Sequence, residues 1–99
     1  MKGQPVIFAI AEQAPGTVKF SVAVEGANAP ANLSVENVQH DENSAVVSDV
    51  STDVNGWVES NGLWVGYAAF EVTSGLSSFA TVHRGGSPKP LAACSYVAE

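Results

Sequence analysis

V-N-G-W-V-E-S-N-G-L-W-V-G-Y-A-A-F-E-V-T, residues 54–73, holds both tryptophans of the chain together with Tyr67, Phe70 and two Asn-Gly pairs. Asn-Gly between alternating apolar runs signals a β-hairpin, because a type I′ turn needs positive φ at both central positions. Asn61-Gly62 as the turn sets Trp57 opposite Gly66, Val58 opposite Val65 and Glu59 opposite Trp64. One face of the hairpin then collects Trp57, Trp64, Gly66, Ala68, Phe70 and Val72. The other collects Val58, Leu63, Val65, Tyr67 and Ala69. A strand apolar on both sides calls for cover on both sides, from a second sheet or from a partner chain.

Working outward, residues 5–12 read as a strand with Val6, Phe8 and Ile10 on one face, followed by Gln13-Ala14-Pro15-Gly16 as a type II turn. Residues 17–25 alternate cleanly, with Val18, Phe20, Val22 and Val24 inward and Lys19, Ser21, Ala23 and Glu25 outward. Residues 33–39 predict an edge strand, because Glu36 and Asn37 interrupt its apolar run. After a polar turn at 40–44, strands are expected over 45–54, in the two arms of the Trp hairpin, over 76–83 and over 91–98. Seven or eight short strands make an all-β fold, a small antiparallel β-sandwich in one domain over residues 1–99. An immunoglobulin-like (Ig-like) order and a jelly roll fit equally well.

Composition agrees. Fifteen valines and fourteen alanines among 99 residues, with 14% charged, favour strands over helices. A net charge of −6 speaks against nucleic acid or an anionic membrane as partner, since both need a positive footprint. The single Cys94 allows no intrachain disulfide. No apolar run approaches the roughly 20 residues of a spanning helix, and the run near the N-terminus is shorter than a signal-peptide core of about 7–15. The expectation is a chain made in the cytoplasm.

Chemistry-bearing residues are sparse. Asp49, Asp53 and Asn55 are a partial oxygen-ligand set for calcium, with Trp57 standing where an EF-hand loop needs another oxygen; solvated strand carboxylates explain them as well. His40, His83 and Cys94 are too few and too scattered for structural zinc, and a Cys-His nucleophilic pair would require them to meet in space. No nucleophile elbow, Walker A loop or dinucleotide fingerprint is present, so the sequence predicts neither an enzyme nor a cofactor. Trp57, Trp64, Tyr67 and Phe70 are the candidate interface or ligand residues. Three of them, Trp57, Trp64 and Tyr67, suit stacking on a glycan, against the plainer fate of filling a core.

The general look, a short acidic β-domain rich in Val, Ala, Gly and Ser, is similar to phage head-decoration and Ig-like surface domains. That resemblance implies a non-enzymatic structural or assembly protein, a virion accessory or capsid-decoration domain assembled in the host cytoplasm. Its partners would be copies of itself or a larger protein shell. The alternative is a carbohydrate- or surface-ligand-binding module at an extracellular surface.

Overall fold

The computed structural model describes residues 4–10 and 16–98. The expected turn at Gln13-Ala14-Pro15, the end of the first expected strand at Ala11 and Glu12, and the termini Met1 and Glu99 lie outside those residues. Eight strands follow one another: β1 (Val6–Ile10), β2 (Thr17–Glu25), β3 (Leu33–His40), β4 (Val46–Asp53), β5 (Asn55–Ser60), β6 (Leu63–Glu71), β7 (Ser77–Arg84) and β8 (Ala92–Val97). They form two antiparallel sheets, β1-β2-β6-β5 and β4-β3-β7-β8, and the described residues contain no helix. Successive hairpins go to alternate sheets. The order is that of an immunoglobulin-type sandwich, with β1, β2, β6, β5 as strands A, B, E, D and β4, β3, β7, β8 as C′, C, F, G. The Ig-like alternative is therefore the one found.

The core lies where alternate residues of the two sheets meet. Phe20, Val22, Val35 and Val82 are fully buried, and Phe20 meets Phe70 edge-on at 5.8 Å between centroids. The inward set of β2 is the expected one, Val18, Phe20, Val22 and Val24. Gln4 on the β1 side donates to the Leu91 carbonyl before β8 (2.9 Å), which helps to close that flank.

Residues 33–39 are corrected by the structure. β3 is central, between β4 and β7, and not an edge strand. Its burial alternates without a break: Leu33, Val35, Asn37 and Gln39 point inward and are buried, while Ser34, Glu36, Val38 and His40 point outward. Glu36 and Asn37 do not interrupt the strand; they occupy its two faces.

The hairpin tip and its first pairs are as the sequence describes them, while beyond Val58 a bulge takes the place of the expected Trp57–Gly66 pair. Asn61 and Gly62 have φ of 53° and 81°, the left-handed pair a type I′ turn requires, and Glu59 Oε2 accepts from the Gly62 N–H (2.7 Å). Val58 pairs with Val65, Glu59 with Trp64 and Ser60 with Leu63. A bulge between Asn55 and Val58 adds a residue to β5, with Gly56 at φ 70°. The Trp57 indole lies over Gly66, where an added Cβ would come within 2.8 Å of the ring and 2.9 Å of Val54. The two glycines should respond differently to substitution. Gly66→Ala is expected to cost about 1–3 kcal/mol from overpacking. Gly62→Val, with nothing near its side chain, should cost about 1–2 kcal/mol from the left-handed backbone alone, and Gly62→Asn much less. Urea denaturation of the three variants checks this, and a Gly62→Asn chain as unstable as Gly62→Val would contradict it.

Candidate functional site

The four aromatic candidates divide between two faces. Trp57 and Trp64 are half-buried on the inner face of β5 and β6, Phe70 is buried between the sheets, and Tyr67 stands outward with Lys19 Nζ 4.3 Å from its ring centre. The structure does not bring Trp57, Trp64 and Tyr67 onto one stacking platform. Tyr67 belongs instead to the outer face of the β1-β2-β6-β5 sheet. There the register aligns Val6, Ala23, Val65 and Val58 in one row and Phe8, Ser21 and Tyr67 in the next. Val58 (68% exposed), Val6 (59%) and Phe8 (45%) stand open to solvent, beside Leu63 at the hairpin tip.

A second feature opens on the β4 flank. β4 ends at Asp53 in one sheet and β5 begins at Asn55 in the other, with buried Val54 between them. From that apex β4 and β6 diverge around a cleft of about 620 Å³, in the size range of small-molecule and peptide sites. Val47, Val50, Phe70 and Val72 supply its apolar walls, and Asn37 and Gln39 reach it from β3. Gln39 is fully engaged: its Nε2 donates to Ser48 Oγ (2.9 Å) and the Glu71 carbonyl (3.2 Å), and its Oε1 accepts from the Thr73 N–H (3.1 Å). Asn37, 2% exposed, has an Oδ1 with no hydrogen-bond donor.

A third feature is polar, on the outer face of the β4-β3-β7-β8 sheet. His83 Nε2 lies 2.7 Å from Thr81 Oγ1 and 3.7 Å from Glu36 Oε1, and its Nδ1 lies 3.1 Å from the Ser87 carbonyl. A side-chain hydrogen bond with Asp49, then partial desolvation and the Asp49 charge, raise the Glu36 pKa, against the opposing pull of His83. Glu36, Asp49, Thr81 and His83 become neighbours only through the β3–β4 and β3–β7 registers, so no local pattern announces them.

The remaining candidates are kept apart. Asp49 and Asp53 sit four residues apart on β4, roughly 13 Å at the rise of an extended chain, and Asn55 starts a strand of the other sheet. Asp49 has Glu36 as its partner, and no group of three His, Cys, Asp or Glu suited to a metal occurs among the described residues. The calcium set is thus not assembled. His83 faces outward while Cys94, opposite inward Ala80, faces the core, and burial pushes its thiol pKa up. These two do not form a nucleophilic pair. His40 lies six residues from the His83 partner Ser34 along β3, roughly 20 Å away.

No family model and no curated protein matches the chain. Among solved structures it is similar to one described as a "putative beta-galactosidase from bacteroides fragilis", with a TM-score of 0.43 and 12% identity over 96% of this chain. The match spans 16% of that protein's length.

The raised Glu36 pKa has a pH signature. An acid whose pKa is raised by folding contributes stability that is present at low pH and lost as pH rises through the folded-state value. Glu36→Gln keeps a donor for Asp49 at every pH. Its melting temperature should exceed that of the unmodified protein near neutrality, and the gap should close as pH falls toward the ordinary carboxylate range. A gap that does not vary with pH would show that the two carboxyls share no proton.

Proposed function

We propose that this chain is a non-enzymatic assembly module that works through the outer face of its β1-β2-β6-β5 sheet, joined to copies of itself or to a larger protein shell. The observation that carries this is the apolar row pair across that sheet. Val6, Phe8, Val58, Val65 and Tyr67 stand in two adjacent rows of one face, with Ser21 between Phe8 and Tyr67, and clustered exposed apolar side chains mark an interaction site. The register supports the same reading. All four strands contribute to this face, which suits a face-to-face contact between sheets. In its finer form the proposal is a virion accessory or decoration domain, in keeping with the acidic balance and the low charge density. A second reading, a ligand-binding module, rests on the cleft beside Asn37.

Sedimentation of the purified chain, alone and with co-expressed neighbours, tests the first reading. Concentration-dependent self-association or co-sedimentation with particles is expected. Phe8→Ser combined with Val58→Ser should abolish it with little change in melting temperature, because both side chains are already exposed. A monodisperse monomer that joins no particle would overturn the assembly role.

A further inference from the structure

An inner strand directs its backbone N–H and C=O groups alternately to its two neighbours. On β6 the Val72 N–H donates to the Gly16 carbonyl beside β2 (2.8 Å), so even-numbered residues turn toward β2 and odd-numbered ones toward the β5 side. Leu63, Val65 and Tyr67 find partners there in Ser60, Val58 and Asn55. Beyond Tyr67 there is no β5, because the chain enters that sheet only at Asn55. The Glu71 carbonyl is taken by Gln39 Nε2. Among the described residues, nothing pairs with the Ala69 N–H and C=O or the Glu71 N–H on that side. This short open edge borders the cleft, whose walls include exposed Val47 and Val50 and whose inner end holds the unpartnered, buried Asn37 Oδ1.

We propose that the cleft is a strand-acceptor site. An extended peptide segment of a partner protein lies in line with β5, pairs with Ala69 and Glu71, and completes the sheet. Alternate side chains of that segment point into the cleft, so one side of it is apolar to cover Val47, Val50 and Phe70. One inward residue is a hydroxyl or amide side chain that hydrogen-bonds to the Asn37 amide. We assign the donor to another protein because, among the described residues, every strand of this chain is already built into one of its own two sheets. This goes beyond the assembly role above, because it uses a different surface.

The experiment is a titration of the ¹⁵N-labelled chain with a blocked peptide about five residues long, the common length of a strand, with valine, threonine and valine at the inward positions 1, 3 and 5 and serine at the outward positions 2 and 4. The amides of Ala69 and Glu71 and the side-chain amide of Asn37 should shift, and the two backbone amides should gain protection from hydrogen exchange. Three changes should each weaken binding about tenfold or more: proline at an outward position of the peptide, which removes a donor to the β6 edge, valine in place of its threonine, which leaves Asn37 unmet, and Val50→Lys in the protein. The Phe8→Ser, Val58→Ser chain should bind the peptide as before, which separates this site from the assembly face. No shift at these three residues at millimolar peptide would overturn the proposal, as would shifts insensitive to proline. Protection of Ala69 and Glu71 that grows with protein concentration in the absence of peptide would place a second copy there and overturn the partner assignment.

Discussion

At Val54 the chain leaves one sheet and enters the other without a loop, and much of this molecule's particular shape follows from that crossing. Val54 is buried and its N–H donates to the Leu33 carbonyl (3.0 Å), so the corner is held from both sides. Strands that switch sheets need a local bend, and here the bulge with left-handed Gly56 follows at once. The Tyr67 ring packs against that glycine on the outside, and Trp57 covers Gly66 on the inside. The position of the crossing also decides where β5 starts, and hence how much of β6 has a neighbour. Beyond the corner no strand among the described residues links β4 to β6, and a side chain ties the two sheets there. Gln39 makes that tie, reaching 32 to 34 residues along the sequence to Glu71 and Thr73.

Most of the architecture is legible in the sequence because alternation of period two maps directly onto the two faces of a strand. The hairpin tip, the inward Trp set and the outward Val58, Leu63, Val65 and Tyr67 follow from Asn61-Gly62 and that period alone. Where the reading fails, it fails on polar residues that point inward. Asn37 looks like an interruption because a buried amide is costly without partners, and its surroundings come from β4 and β6. The phase of Leu33 and Val35 would have placed Asn37 and Gln39 on the inner face, had apolar spacing been weighed above residue polarity. The cluster of Glu36, Asp49, Thr81 and His83 was beyond reach for another reason: three strands must be in register before those side chains meet.

The two outer faces of the sandwich differ in emphasis. Val6, Phe8, Val58 and Tyr67 stand on one, with Glu25 and Glu71 toward its ends, whereas the other carries Glu36, Asp49 and Asp53 beside exposed Phe79 and Val97. Lys19, one of only four cations, is placed over Tyr67 on the apolar side, where its stem can cover ring and alanine surface while its charge meets the π-face. A domain with this polarity has a preferred orientation at any larger surface. In the proposed assembly role its apolar sheet would be desolvated and its carboxylates would stay in water, where they would discourage further layers from adding. Within the proposed assembly role, that asymmetry accounts for a bounded attachment in place of open-ended growth.

Gln39 and Asn37 show how the same kind of side chain serves two ends. Gln39 repays its burial with three hydrogen bonds, each net about 0.5–1.5 kcal/mol, and holds the sheets together at the open flank. Two residues earlier, Asn37 is buried as deeply, yet its Oδ1 goes without a donor, a penalty of about 1–3 kcal/mol. A valine, which already occupies the same face at position 35, would fill that position without the penalty. Stability of the isolated fold therefore gives no reason for an amide at position 37. Under the strand-acceptor proposal the reason lies in what enters the cleft, where a buried amide discriminates between a side chain that hydrogen-bonds to it and one that does not. The cost borne by the empty domain becomes selectivity at the moment the sheet is completed.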